Sequence, residues 1–146
     1  MESKEFKKLF DVLARNYGFE PAFGGWFKES SECIVVLDLQ KSNYGNYYEL
    51  NIKTYIQGAF GMNYSQCKDL VKKDIGDIFT RQPKEYNDVL NLDAPFEYSI
   101  REQKLRELFS DFIVPDTDKT LTRTGIKELA KSGVFLLPAI KKELGI

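Results

Sequence analysis

The sequence predicts an α+β fold in which an antiparallel sheet packs against an N-terminal helix and C-terminal helices. The first and last parts of the 146-residue chain repeat apolar residues at helical spacing. The middle part contains two runs of alternating apolar and polar residues, joined by a short polar turn with one glycine. A chain of this length can bury a sufficient core unaided, so we expect one domain over residues 1–146.

An amphipathic helix is expected over residues 3–16, followed by a short strand near residues 22–29. The apolar stripe of this helix consists of Phe6, Leu9, Phe10 and Leu13. Gly18 is well placed to end the helix, because a left-handed residue commonly follows the last turn. Within the strand, Gly24 and Gly25 indicate a bulge or a close approach of two backbones.

A central hairpin is predicted from residues 33–41 and 47–57, because both segments alternate with a period of two. The face expected to pack on the core carries Cys33, Val35, Leu37, Leu39, Tyr48, Leu50, Ile52, Thr54 and Ile56. The opposite face carries the polar and aromatic residues Asp38, Gln40, Tyr47, Glu49, Asn51, Lys53 and Tyr55. This alternation is typical of a single-layer sheet with one packed face and one open face.

The rest of the chain consists of a segment of mixed prediction, residues 58–98, and a C-terminal third that is predicted to be helical. Residues 58–98 are expected to form a short helix or loop and then a strand. Ser99 and Glu102 match a capping box, which predicts the start of a helix that ends at Pro115. The last two helices are expected at residues 122–132 and 135–144.

Composition excludes several classes of function. The chain has no histidine, which excludes mechanisms that use imidazole as the base. Two cysteines, Cys33 and Cys67, cannot form a tetrahedral zinc site alone, and we expect no metal and no other cofactor. The 21 basic and 22 acidic residues give a net charge of −1, which disfavours a nucleic-acid partner.

The sequence also predicts a cytoplasmic protein without a membrane partner. Its N-terminal residues contain no apolar core of a secretion signal. No segment approaches the roughly 18 to 20 consecutive apolar residues that a membrane-spanning helix needs. The two cysteines are too few for a disulfide scaffold and are typical of reduced thiols inside the cell.

The segment "FIVPDTDKTL", residues 112–121, is similar to the nucleophile motif of haloacid-dehalogenase-type phosphatases, with Asp116, Asp118 and Thr120 at its key positions. That motif requires a buried parallel strand before it, whereas a capped amphipathic helix is expected here, and too few residues follow for the remaining parts of that fold. We therefore interpret the two aspartates as turn residues that cap the next helix.

The motifs "YGF", "WF", "LQKS", "YG", "YY" and "LN" follow one another in the first half of the chain. In this order they resemble those of DUF4304, a bacterial family of domains of unknown function, and the resemblance spans about residues 6–113. The matching positions are Gly18, Phe19, Phe27, Leu39, Gln40, Lys41, Ser42, Gly45, Tyr48 and Asn51. Farther on, Ile75 and Gly76 match, but Asp74 stands where arginine is usual. The resemblance implies a small bacterial cytoplasmic α+β protein, and it implies no activity, cofactor or catalytic residue.

These observations favour a non-enzymatic protein-binding module with an immunity-like or adaptor-like role. Its candidate binding surface consists of Asp38, Gln40, Lys41, Tyr44, Tyr47, Glu49, Asn51, Lys53 and Tyr55. The alternative is a small-ligand binder or enzyme with a cleft over the polar face, which would use Asp38, Glu49 and Lys53. A homodimer formed through the polar face is a third alternative.

Overall fold

The computed structural model describes residues 1–146 and confirms an antiparallel sheet packed against helices from both ends of the chain. The five strands, adjacent in chain order, are β1 Glu20–Ala22, β2 Gly25–Glu29, β3 Cys33–Lys41, β4 Tyr48–Ile56 and β5 Ile78–Arg81. The six α-helices are α1 Ser3–Asn16, α2 Lys68–Lys72, α3 Tyr98–Leu108, α4 Val114–Thr120, α5 Arg123–Lys131 and α6 Pro138–Leu144. None of them combines the length and apolarity needed to cross a bilayer.

The predicted central hairpin is confirmed. β3 and β4 pair along their full length, from Cys33 opposite Ile56 to Lys41 opposite Tyr48. β2 and β5 flank them, so both strands of the hairpin are central strands of the sheet. Gly18 has a φ of 90° and follows the first helix, as its spacing predicts.

One face of the sheet packs on the main core. Its residues from β2, β3 and β4 contact the apolar stripe of α1 and the inner side of α3. Aromatic rings fill the centre, where Phe10 lies 4.7 Å from Trp26 and 5.1 Å from Phe109 between ring centroids. At the other end of this face, Cys33 and Ile56 pack with residues of α5 and α6 in a second apolar cluster.

The opposite face is only partly open. Because Ile34 and Val36 on that face are apolar, they need a cover, and α2 supplies it with Leu70 and Val71. Tyr55, predicted to be on the open surface, is 1% exposed in this cluster. The face remains accessible where β3 and β4 extend past α2 toward the hairpin turn.

The segment predicted as one strand near residues 22–29 is instead two strands, β1 and β2. A tight turn joins them, with Phe23 at φ 53° and Gly24 at φ 82°. Two successive residues with positive φ are typical of the hairpin turn that matches the twist of its strands.

The helix at residue 98 does not end at Pro115. It continues through a five-residue π-helical turn, Phe109–Ile113, directly into α4. Proline lacks an N–H and its ring crowds the preceding turn, and the wider π turn lies where this conflict occurs. The expected cap at Ser99 is absent, because α3 begins at Tyr98 and Ser99 forms no capping hydrogen bond.

The two aspartates of the phosphatase-like segment do not cap the next helix. Asp116 and Asp118 lie inside α4. The cap of α5 is Thr122, whose side chain accepts a hydrogen bond of 3.0 Å from the backbone N–H of Gly125.

Arg101 of α3 is fully buried and holds the segment that precedes the helix. Its guanidinium donates hydrogen bonds to the carbonyls of Val89 (2.6 Å), Asn91 (3.1 Å) and Ala94 (2.9 Å). Three carbonyls of an irregular segment are thereby satisfied by one side chain. Burial lowers the pKa of Arg101, and Asp88 partly offsets that effect.

We expect Arg101→Met to lower the free energy of unfolding by about 3 kcal/mol, because three carbonyls lose their charged donor. Arg106→Met is the matched control on the same helix, because Arg106 is partly exposed and pairs only with Glu102. The control should change stability by less than about 0.5 kcal/mol. Urea unfolding of both variants measures the difference, and equal losses would contradict the role given to Arg101.

Candidate binding cleft

A cleft of about 490 Å³ opens at the accessible end of the second sheet face. We call it the cationic cleft because of its charges. The basic residues in its lining are Lys7, Lys41, Lys53, Lys72, Lys73 and Arg81, and the acidic ones are Asp38 and Asp74. Six cations against two carboxylates leave a formal excess of four positive charges, in a chain whose net charge is −1.

A polar row forms the floor of the cleft, with Asp38 and Asn51 buried at its centre and Gln40 and Arg81 more exposed at its ends. Asn51 donates from Nδ2 to Asp38 Oδ2 (3.2 Å) and to Gln40 Oε1 (2.9 Å). Arg81 Nε donates to Asn51 Oδ1 over 2.9 Å. Lys72 Nζ lies 3.6 Å from Asp38 Oδ1 and brings a positive charge to the buried carboxylate. Each polar group on the floor therefore has a partner, as burial requires.

Strand register produces this row. Asp38 on β3 lies opposite Asn51 on β4, and Asn51 lies opposite Arg81 on β5. Residues directly opposite in neighbouring strands point to the same face of a sheet, so the three side chains meet without any loop to position them.

Lys53 anchors the cover of this face. It is 4% exposed, and its Nζ donates to the carbonyl of Val71 over 2.7 Å, while Tyr55 Oη donates to the carbonyl of Leu70 over 2.8 Å. Burial lowers the pKa of Lys53, and Asp38 partly offsets this by favouring the charged form. Both side chains thus hold α2 on the sheet.

The structure brings together five of the nine residues predicted for the binding surface. Those that line the cationic cleft are Asp38, Gln40, Lys41, Asn51 and Lys53. Tyr47 and Glu49 lie in a neighbouring recess of about 310 Å³, where Glu49 accepts a 2.8 Å hydrogen bond from Gln82. Tyr44 is 94% exposed in the hairpin turn, and Tyr55 is buried. Glu49 is therefore absent from the lining that contains Asp38 and Lys53.

Four cations of the lining come from other elements and were not predicted, namely Lys7, Lys72, Lys73 and Arg81. Lys72 and Lys73 follow Leu70 and Val71 in the segment that is expected to form a short helix or loop. Two adjacent apolar residues followed by two lysines predict one buried and one exposed side of that segment, and the sheet face that it covers follows only from the fold. The position of Arg81 in the cleft depends on the register of β5 against β4, which the sequence does not reveal.

Beside the cleft, β3 has an unpaired edge. β2 pairs with β3 only from Ile34 to Leu37. The Ser42 N–H donates to the Tyr47 carbonyl, so the even-numbered residues of β3 direct their backbone N–H and C=O groups toward β4. By alternation, the backbone N–H and C=O groups of Leu39 and Lys41 point away from β4. These groups have no strand partner on that side.

A second recess of about 410 Å³ lies along this unpaired edge. It shares Lys7, Leu39 and Lys72 with the cationic cleft and is also lined by Gly25 and Trp26. A Cβ on Gly25 would lie 2.9 Å from the Leu37 carbonyl oxygen, so only glycine allows this close approach without a shift. The two recesses together form one groove, which we call the edge groove.

The fold and this groove define a class of protein, an α+β chain with a cationic groove beside the accessible end of its sheet. The chain belongs to the family described as Domain of unknown function (DUF4304), whose family model matches residues 10–119. The match confirms the family resemblance. No curated protein and no solved structure matches the chain.

We expect Asn51→Ala to lower the free energy of unfolding by about 2–4 kcal/mol, because Asp38 and Arg81 both lose a buried partner. Asn43→Ala is the control, since Asn43 is exposed in the hairpin turn. The control should change stability by less than about 0.5 kcal/mol. A loss under that limit for Asn51→Ala in urea unfolding would show that the polar row does not stabilise the fold.

Proposed function

We propose that this chain is a non-catalytic binding module that receives an extended acidic segment of another protein in the edge groove. The observation that carries the proposal is the unpaired edge of β3 at Leu39 and Lys41, which runs between cationic side chains. Such a module would serve in an immunity-like or adaptor-like role, in which one protein holds another without changing it chemically.

Electrostatics supports an acidic occupant. A concave site lined mainly by one sign of charge, over a low-dielectric wall, concentrates ligands of the opposite sign. The excess of four positive charges lies in the cationic cleft, although the whole chain is slightly acidic. Lys7 and Lys72 line both recesses, so the positive potential extends along the groove.

Backbone geometry supports a peptide as the occupant. An extended segment beside β3 can bond to the free N–H and C=O groups of Leu39 and Lys41, as in β-strand addition. Because side chains of a strand alternate between faces, every second residue of the added segment would point toward the cationic cleft. A phosphate or another small anion would leave these backbone groups without a partner.

The tyrosines of the β3–β4 turn support a protein partner. Tyr44 is 94% exposed and Tyr47 is half-buried beside the groove. Tyrosine contributes large contact area and one hydrogen bond, and it is enriched in residues that dominate interface energies. The free thiols of Cys33 and Cys67 support a cytoplasmic location as part of this proposal.

The test uses fluorescence anisotropy with a synthetic peptide that alternates glutamate and valine. We expect wild-type protein to bind it at low salt and to lose affinity as salt rises, because charge attraction is screened. Lys7→Glu should weaken binding by about threefold to tenfold. Lys8→Glu is the matched control, because Lys8 is an exposed neighbour on α1 that lines neither recess.

A second peptide separates strand addition from charge attraction alone. N-methylation of alternate backbone amides removes donors and leaves the side-chain charges in place, so we expect this peptide to bind more weakly than its parent. No binding of either peptide to wild-type protein, or equal weakening by Lys7→Glu and Lys8→Glu, would refute the proposed function.

A further inference from the structure

A cavity separates the two apolar clusters on the packed face of the sheet. Along β4, Ile52 belongs to the main core and Ile56 to the second cluster, and the buried Thr54 lies between them. The cavity occupies this gap and has a volume of about 310 Å³. Its walls come from β4, β5, α4, α5 and residues 134–136.

The lining of this cavity contains one ionisable side chain, Asp116 of α4. The remaining lining residues are aliphatic or aromatic, apart from the threonines at positions 54, 80 and 120. Asp116 is partly buried, and no charged or hydrogen-bonding neighbour acts on its carboxylate, unlike Asp38, which pairs with Lys72 and Asn51. Burial alone raises the pKa of Asp116 to about 6, and no neighbouring charge contributes.

Asp116 is partly exposed, and its carboxylate has lost part of its hydration without gaining a hydrogen-bonding or charged partner in the empty protein. A bound cation would restore the solvation that burial removes, and apolar walls would accept a hydrocarbon body. Ligand sites are typically apolar cavities of about 300–1,000 Å³ with a few convergent polar groups, and this cavity lies at the small end of that range.

We infer that this cavity is a binding site for a small organic amine. The ammonium group pairs with the Asp116 carboxylate, and the hydrocarbon part packs against Ile52, Ile78 and Leu129. Thr54 and Thr120 offer hydroxyl groups to the remaining N–H donors. This site lies on the packed face of the sheet and shares only Phe79 with the edge groove, and its test changes Asp116, which does not line that groove, so the test is independent of the proposed function.

The experiment is a calorimetric and NMR titration of the protein with n-butylamine, with n-butanol as the uncharged comparison. We expect the amine to bind at least about tenfold more tightly than the alcohol at neutral pH. Asp116→Asn should abolish this preference. Asp118→Asn is the matched control, because Asp118 is exposed on the same helix and does not line the cavity.

The pH dependence supplies an independent readout. Amine affinity should fall as the pH drops through about 6, where the Asp116 carboxylate takes up a proton. In the absence of ligand, the raised pKa means that ionisation opposes folding, so Asp116→Asn should unfold at a higher temperature than wild type at neutral pH. That advantage should vanish below the ordinary aspartate value of 3.8, where the carboxyl is neutral in both states.

Equal binding of amine and alcohol to wild-type protein, or no binding of either, overturns the inference. Retention of the amine preference in Asp116→Asn overturns it as well. The unfolding curves of Asp116→Asn show directly whether the variant is folded, and Asp118→Asn separates the effect of Asp116 from a general loss of negative charge.

Discussion

The full-length pairing of β3 with β4 is the constraint on which the rest of the structure depends. It places the polar residues of both strands in one row and, through β5, adds Arg81 to that row. A shift of one residue would turn Asp38 and Asn51 toward the aromatic core. The register is fixed because Val35, Leu37, Leu50 and Ile52 are buried together on the other face.

Burial of polar groups is tolerated in this fold where partners are supplied by backbone or by a neighbouring strand. Lys53 and Arg101 donate to carbonyls of irregular or helical segments, and Asn51 links Asp38 to Arg81. Asp116 differs because burial raises its pKa while no charged or hydrogen-bonding partner offsets that effect. The contrast is one of partners rather than of depth, because Asp116 is partly exposed, whereas Arg101 is fully buried and leaves only its Nε without a hydrogen bond.

The elements that depend on local periodicity were predictable from the sequence, and those that depend on distant partners were not. α1 and the β3–β4 hairpin follow from spacing alone. The partial cover over Tyr55 comes from α2, a helix of five residues whose stability depends on packing rather than on its own propensity. Pro115 predicted a helix end because the rule for proline assumes an α-helix, whereas the π turn at Phe109–Ile113 carries the chain onward.

Half of the 14 lining residues of the cationic cleft come from the hairpin, and five of these were predicted as surface residues, namely Asp38, Gln40, Lys41, Asn51 and Lys53. The other half depends on α1, α2 and β5, which reach the same place only after the chain folds.

Helix α2 contributes both to the stability of the fold and to the proposed binding site. Leu70 and Val71 cover the sheet, and the next two residues, Lys72 and Lys73, line the cationic cleft. A change that releases α2 would therefore expose apolar surface and remove two cations together. Lys72 also pairs with the buried Asp38, so its replacement would mix a folding effect with a binding effect. Lys7 lies on α1, where its Nζ is 5.8 Å from the centre of the Tyr48 ring, and it forms no ion pair with the floor of the cleft, so its replacement leaves the polar row intact.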